Sequence, residues 1–157
     1  MSEIIAYTDG SFNADTQTVG ASAVIVSGDR TILNHYIVST ANSEVASKMR
    51  QITGELAGCI NAVKYAIDNN LASITICYDY IGVENWANGS WKTNNEITKA
   101  YQYRINALRE YIDINFEKVN AHTGVDLNER ADQLAKFACG VENTLPVGVH
   151  ARQVVRL

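Results

Sequence analysis

The chain has 157 residues, of which 46% are hydrophobic and only one is a proline, and this composition predicts a single compact domain. Its formal net charge of -4 at pH 7 argues against a protein that holds nucleic acid by overall positive charge, so any such contact must rest on a local site. The sequence contains no apolar run long enough to cross a bilayer and no signal-peptide pattern at Met1 to Glu3, so we expect a cytoplasmic protein without a membrane partner.

The first predicted element is a strand that leads to an acid. Residues Ile4 to Tyr7 form a continuous apolar run, which is typical of a central strand covered on both faces. Asp9 is expected where this strand leaves the core, and Gly10 would let the backbone turn there without crowding a ligand. Asp-Gly alone is most often a simple turn, so a structural and a functional interpretation are both open here.

Two further strands are predicted to form an antiparallel meander with the first. A polar loop at 13–19 precedes the apolar run from Gly20 to Val26, and a turn at 27–31 leads to the run from Ile32 to Ser39. His35 in the third strand has no acid or second histidine spaced to join it. We therefore interpret it as an ordinary strand residue.

A long helix is predicted from Ile52 to Ile67, where apolar residues recur at helical spacing. At about 100° per residue, Glu55 falls at the margin of the apolar stripe and not on the solvated face. Gly54 next to it costs about 1 kcal/mol inside a helix. Its presence indicates that another part of the molecule approaches the helix backbone closely beside Glu55.

The alternating segment from Ala72 to Tyr80 predicts a fourth strand, which a helical crossover joins to an earlier, parallel strand. Asp79 lies at the carboxyl end of this strand, and Gly82 follows soon after it. In an open α/β sheet, ligands bind at this edge.

The second half of the chain predicts helices at 83–88 and 98–112, a fifth strand at 116–120 and a last helix that starts near Asn128. Four residues of the second of these helices are expected to face inward: Ala100, Tyr103, Ala107 and Leu108. Asp132 lies at the edge of the apolar stripe of the last helix, in its predicted first turn. Free backbone amides there favour a carboxylate, so helix capping and a functional role are both open for Asp132.

Four acids are thus placed by independent local patterns: Asp9, Glu55, Asp79 and Asp132. Carboxylates that converge repel one another by several kcal/mol unless cations neutralise them. The natural partners are hard divalent ions such as Mg²⁺ or Mn²⁺, which prefer oxygen ligands. Two such ions can activate a water and stabilise the leaving oxygen of a phosphodiester. The sequence contains no Walker loop, nucleophile elbow, zinc-protease motif or paired cysteines that would indicate a competing site.

Four sequence motifs, in this order, resemble those of type 1 ribonuclease H. They are Tyr7-Thr-Asp-Gly-Ser11, Gly54-Glu-Leu-Ala57, Tyr78-Asp-Tyr80, and His122-Thr-Gly followed by Asn128-Glu-Arg-Ala-Asp132. The resemblance runs from about Ile4 to Cys139. It implies an α/β fold of the ribonuclease H type, with a mixed five-stranded sheet in the order 3-2-1-4-5, the first three strands antiparallel and helices flanking the sheet.

The resemblance also implies an activity, which is metal-dependent endonucleolytic hydrolysis of the RNA strand in RNA–DNA hybrids. The catalytic domain would span 1–140, and 141–157 would be a tail of unknown structure. The implied cofactor is a pair of Mg²⁺ ions bound with the substrate, with Mn²⁺ as the alternative.

Residue roles follow from the same resemblance. Asp9 would bridge both ions, Glu55 and Asp79 would hold the ion near the leaving group, and Asp79 and Asp132 would complete the two sites. His122 resembles the histidine of the family that assists proton transfer or product release.

Substrate contacts are also implied, because a hybrid carries 2′-hydroxyls on one strand only and a protein can sense them along the minor groove. Ser11 and Gln51 match positions at which the family contacts RNA, and Gly10 lets that strand approach. Trp91 and Lys92 are candidates to support the DNA strand by stacking and phosphate contact. A tryptophan that only anchors its own loop is the alternative for Trp91.

The chain departs from the family in two segments. A compact segment of mixed charge at 84–99 stands where well-known bacterial enzymes insert a basic helical handle, and Gln51-Ile-Thr53 replaces paired asparagines. We also expect no separate N-terminal hybrid-binding domain. These departures predict weaker and more salt-sensitive hybrid binding, or delivery to the hybrid by a partner protein. We also expect a monomer.

Two other functions are open at this point. A nuclease with this fold can act on another nucleic acid, as resolvases and transposase-type nucleases do. The chain can also be a non-catalytic module that binds hybrids, although the presence of all four acids disfavours this. Cleavage assays with hybrid, duplex RNA and branched DNA distinguish these functions.

Overall fold

The computed structural model of the protein describes residues 3–40, 44–119, 126–146, 149 and 154–156. The strands are β1 (Ile4–Asn13), β2 (Thr18–Ser27), β3 (Ile32–Thr40), β4 (Ser73–Tyr78), β5 (Asp113–Lys118) and β6 (Val154–Arg156). The helices are α1 (Glu44–Met49), α2 (Gln51–Asp68), α3 (Gly82–Ala87), α4 (Glu96–Leu108) and α5 (Asp126–Ala138). Within these described ranges, no helix is both long and apolar enough to span a membrane.

The strands form one sheet in the order β5-β4-β1-β2-β3-β6. β1, β2 and β3 are an antiparallel meander, β4 runs parallel to β1, and β5 runs parallel to β4. The predicted mixed sheet with the order 3-2-1-4-5 is therefore confirmed. β6 adds a sixth strand beside β3, from a segment for which the sequence predicted no structure.

β1 is longer than predicted, and Asp9 lies inside it. The strand continues to Asn13, and Asp9 is paired with Ser22 of β2. On its other side, β1 pairs with β4 only from Ile4 to Tyr7. The prediction that the strand ends at Asp9 was wrong because only the parallel neighbour ends there, while the antiparallel neighbour continues the hydrogen bonding. Asp9 thus lies where the space between β1 and β4 opens.

The core has two layers, one on each face of the sheet. α2 and α4 cover one face, where Ile74, Ile76 and Tyr78 of β4 are buried. α5 covers the other face, where Cys77 of β4 packs near Leu134. The alternation predicted for β4 is confirmed, and both of its faces are covered, as is typical of a central parallel strand.

Glycines let the two layers approach the sheet very closely. A Cβ added to Gly54 of α2 would overlap the carbonyl oxygen of Gly20 and lie 2.8 Å from the Cα of Gly10. The close approach predicted beside Glu55 is therefore confirmed. Gly10 has a different role from the predicted one, because it lies in extended β1 and not in a turn. One α-hydrogen of Gly10 faces α2, and a Cβ in its place would lie 2.7 Å from the carbonyl carbon of Gly54.

α4 presents a different face from the one predicted. It begins at Glu96, after a capping box in which Asn95 accepts a hydrogen bond from the Thr98 amide at 2.9 Å. Its buried residues are Thr98, Tyr101 and Ile105, whereas Tyr103 is 77% exposed. Ala100 and Ala107 are exposed as well, and of the four residues predicted to face inward only Leu108 packs against the core.

Candidate active site

Three carboxylates from separate parts of the chain converge where β1 and β4 part. Asp9 comes from β1, Glu55 from the second turn of α2, and Asp79 from the residue directly after β4. One carboxylate oxygen of each residue lies within 4.8 Å of those of the others. Asp9 is 5% exposed and Glu55 is 4% exposed, while Asp79 is half-buried. The cluster therefore has two sheltered carboxylates and one that faces the opening.

The three acids line a cavity of about 370 Å³. Its lining residues are Asp9, Gly10, Gln51, Ile52, Glu55, Asp79, Tyr80 and Asp132. All four acids predicted from the sequence thus border one cavity. The cavity is open to solvent, so an extended substrate has room to reach the acids.

Asp132 borders this cavity from α5 but lies outside the tight group of three. α5 begins at Asp126, so Asp132 lies in its second turn, and helix capping does not explain it. The Asp132 Oδ2 atom forms a salt bridge of 2.9 Å with Lys136 Nζ, one turn further along the helix. Lys136 therefore balances part of the negative charge on the α5 side of the site.

Burial dominates the electrostatics of the cluster. It raises the pKa of Asp9 to about 7, a shift opposed by the hydrogen bond with Glu55 and reinforced by the charge of Asp79. Burial also raises the pKa of Glu55 well above its usual range, and the neighbouring charge of Asp9 adds to this. The Gly10 amide donates a hydrogen bond of 2.8 Å to Asp9 Oδ1. Without a cation, the fully ionised cluster is therefore unfavourable.

The donor set fits a hard divalent cation. The three converging residues offer only carboxylate oxygens, which Mg²⁺ and Mn²⁺ prefer. Glu55 Oε2 is buried, and no group in the described ranges forms a hydrogen bond with it. Buried acceptors are normally satisfied, so this oxygen and the raised pKa values of the pair both indicate a place for positive charge.

Only some of the residues predicted to contact substrate line the cavity that contains the acids. Gly10 and Gln51 line the cavity, and Ser11 follows Gly10 on β1, where it pairs with Gly20 of β2. Trp91 lies on the loop between α3 and α4, and its ring packs against Trp86 with a centroid distance of 5.3 Å. This packing supports the loop-anchoring interpretation of Trp91 and leaves its stacking role a prediction.

Lys92 and His122 are the two other residues predicted for the site. Lys92, next to Trp91, is exposed. His122 falls at 120–125, which is outside the described residues, so its predicted role stays a prediction.

Two residues near the acids were missed by the sequence reasoning, namely Tyr80 and Lys136. Tyr80 lines the cavity directly beside Asp79. Lys136 lies four residues after Asp132, a spacing at which helical side chains meet, and this was the available signal. Tyr80 was predicted to be the last residue of the fourth strand, where alternation places it on the opposite face from Asp79. β4 instead ends at Tyr78, so this alternation does not extend to Tyr80.

Comparisons with known proteins agree with the geometry. A family model described as RNase H matches residues 1–140. A curated relative, the ribonuclease H of Syntrophomonas wolfei, is 31% identical over 153 residues, which cover 88% of this chain and 97% of the relative. Among solved structures, RNase H1 of the halophilic archaeon Halobacterium salinarum is 26% identical, with a TM-score of 0.75 over 89% of this chain and 99% of that one.

A second solved structure is similar in fold. It is LC11-RNase H1 in complex with an RNA/DNA hybrid, which is 18% identical, with a TM-score of 0.68 over 83% of this chain and 92% of that one. The match of the family model to most of the chain, together with the convergence of the acids in its fold, shows that this chain belongs to the ribonuclease H family.

Proposed function

We infer that this protein is an endonuclease that hydrolyses the RNA strand of RNA–DNA hybrids. The observation that carries this function is the convergence of Asp9, Glu55 and Asp79 within 4.8 Å in a chain of the ribonuclease H family. The hybrid bound to LC11-RNase H1 supports the substrate class, because that protein shares this fold.

Asp9, Glu55, Asp79 and Asp132 would hold two divalent ions, and we propose Mg²⁺, with Mn²⁺ as the alternative. When bound, such ions activate a water for attack on the phosphodiester and stabilise the leaving oxygen. The support for this set is the oxygen-only donors and the unsatisfied Glu55 oxygen described above.

The residues of this chain hold the carboxylates in place before substrate arrives. Asp9 is fixed by its pairing with Ser22 of β2 and by the hydrogen bond from the Gly10 amide. Glu55 is fixed because α2 lies directly on the sheet through Gly54. Groups held on rigid elements need little rearrangement during the reaction. Asp79, which is half-buried, faces the side from which substrate enters.

The proposed substrate contacts come from two parts of the chain. Gly10 and Gln51 line the cavity, which supports a role in contacting the RNA strand, with Ser11 next along β1. Trp91 and the exposed Lys92 would support the DNA strand from the loop after α3. His122 would assist proton transfer or product release.

The compact segment at 84–99 supports weak hybrid binding by the protein alone, since its charges are mixed. We propose that a partner protein delivers the hybrid, or that binding is strongly weakened by salt. The monomeric state and the cytoplasmic location are further parts of this proposal.

A cleavage assay tests the function. The purified protein is incubated with RNA-labelled hybrid, duplex RNA and branched DNA, each with Mg²⁺, with Mn²⁺ and with a chelator. We expect internal cuts in the RNA of the hybrid only, and only with a divalent ion. Cleavage of DNA alone would show a nuclease with a different substrate, and hybrid binding without any cleavage would show a non-catalytic module.

A further inference from the structure

Tyr80 forms one wall of the acidic cavity. It lies in the bend between Asp79 and α3, and it lines the cavity together with Asp9 and Glu55. It is half-buried, and its backbone carbonyl accepts a hydrogen bond of 3.0 Å from the amide of Val83 in the first turn of α3. The residue is therefore held at the site by the same bend that positions Asp79.

The ring of Tyr80 is fixed by an aromatic cluster. Its centroid lies 5.9 Å from that of Trp86 and 6.2 Å from that of Trp91. Tilted and edge-on aromatic pairs of this kind stabilise one another beyond the burial of their area. Gly82 leaves the room for this packing, because a Cβ there would overlap the Tyr80 ring and lie 2.7 Å from Trp86. The cluster joins the acidic cavity to the loop that carries Trp91.

The hydroxyl of Tyr80 is available to a substrate. Among the residues that the structure describes, none forms a hydrogen bond with it. The ordinary pKa of a tyrosine, about 10, keeps the phenol protonated at neutral pH, so it can both donate and accept a hydrogen bond. Tyrosine hydroxyls contact both phosphate and sugar oxygens of nucleic acids. A group that both donates and accepts matches a 2′-hydroxyl, which also does both, whereas a phosphate oxygen only accepts.

We propose that Tyr80 is a substrate-positioning residue whose hydroxyl hydrogen-bonds to a 2′-hydroxyl of the RNA strand beside the cleaved phosphodiester. The inference rests on the proposed function, since only the RNA strand of a hybrid carries that group. Tyr80 lines the same cavity as Gly10 and Gln51, and its ring packs edge-on against that of Trp91. It therefore fixes the register of the RNA strand against the acids.

The test combines Tyr80→Phe with single 2′-deoxy substitutions in the RNA. Phenylalanine keeps the ring and its packing but removes the hydroxyl. Wild-type and variant are compared on an all-RNA hybrid and on hybrids with one 2′-deoxynucleotide at each position around a single cleavage site. Tyr103→Phe is the matched control, because Tyr103 is an exposed tyrosine on α4 outside the cavity. The kcat, the KM and the melting temperature are measured for each protein.

We expect Tyr80→Phe to lower kcat/KM on the all-RNA hybrid by about 3- to 10-fold, which is the size of one lost hydrogen bond. The melting temperature and the Tyr103→Phe values should match wild-type. At one position, the 2′-deoxy substitution should lower the kcat/KM of wild-type by a similar factor. It should leave the kcat/KM of Tyr80→Phe unchanged, because the same hydrogen bond is already absent in that variant.

Two results would overturn the inference while leaving the proposed function intact. One is a Tyr80→Phe enzyme with unchanged kcat/KM. The other is a Tyr80→Phe enzyme whose kcat/KM falls below that of wild-type by the same factor on every 2′-deoxy hybrid, which would show a structural role for the hydroxyl. If the wild-type protein cuts no hybrid, the proposed function fails and this inference fails with it.

Discussion

Asp9 and Glu55 are buried acids whose charged forms the fold disfavours. Both lie on rigid elements, and burial raises the pKa of each. Groups kept in such a state are typical of functional sites, where a ligand supplies the missing charge. The burial of these two carboxyls therefore gives a measurable effect on stability as well as on activity.

Asp9→Asn should stabilise the metal-free protein at high pH. The folded-state pKa of Asp9, about 7, lies above its unfolded value of about 4, so the folded state is penalised as pH rises through this window. At pH 8 we expect the substitution to raise the free energy of unfolding by about 1–3 kcal/mol, with little difference near pH 4.5. Urea unfolding with a chelator at both pH values measures this. Equal stability of the two proteins at pH 8 would contradict the electrostatic account.

Asp79→Asn should remove cleavage while leaving the fold intact. Asp79 is half-buried and lies in a bend after β4, so the amide fits in its place. Hybrid cleavage with Mg²⁺ should fall by at least about 100-fold, since replacing even an outer-shell partner of a metal ligand lowers metal affinity or activity by up to about that factor. Circular dichroism and melting should be unchanged. Asp113→Asn, at an exposed acid on β5, is the control and should cut at the wild-type rate.

At the scale of elements, the contact between α2 and the sheet decides where Glu55 points. The helix backbone lies against β1 and β2 at Gly10, Gly20 and Gly54. On the opposite face, a Cβ at Gly20 would also lie 3.1 Å from the backbone nitrogen of Cys139, directly after α5. Both helical layers thus pack against the same part of β2, so we expect small changes there to displace the acids.

Gly54→Ala tests this contact. In an exposed helix alanine would stabilise by about 1 kcal/mol, but here the new Cβ would overlap the Gly20 carbonyl and α2 must move. We expect a net loss of about 1–3 kcal/mol in the free energy of unfolding, together with reduced hybrid cleavage because Glu55 moves. Gly28→Ala is the control, since its Cβ would meet nothing closer than 3.9 Å. A stabilised Gly54→Ala protein would disprove the close contact.

At the scale of the whole molecule, the segment after residue 140 takes part in the fold. Val149 is buried in the core layer under α5, and β6 pairs with β3 at the edge of the sheet. An added strand covers an edge that would otherwise be free to pair with another chain. Val149 and Val154–Arg156 thus contribute to the core and to the sheet, respectively.

Val149→Ala should therefore destabilise the protein although it lies far from the acids in sequence. The side chain is 8% exposed, so its truncation should lower the free energy of unfolding by about 1–2 kcal/mol. Val141→Ala, in the same segment but 49% exposed, should be neutral. Denaturant unfolding of both variants measures the difference. If the two variants behaved alike, the packing of Val149 would be refuted.

Much of this fold was predictable from local patterns. The alternation of β4, the stripe of α5 and the glycine beside Glu55 each depend on neighbours along the chain, and all three predictions are confirmed. The buried face of α4 was predicted wrongly, because its alanines and Tyr103 fit an apolar stripe as well as Tyr101 and Ile105 do. Which tyrosine is buried depends on what lies opposite the helix, and that is not encoded in its spacing.

The sequence by itself determined the order along the chain of the first five strands and of α2 to α5, and it identified the four acids that border the cavity, because these follow from short-range periodicity and from motifs in register. Only the tertiary structure decided that Asp9 lies within a strand and that Gly10 is needed for packing. It also brought Tyr80 to the wall of the cavity. These features depend on distances between elements far apart in the chain, and such distances are set by how the layers pack.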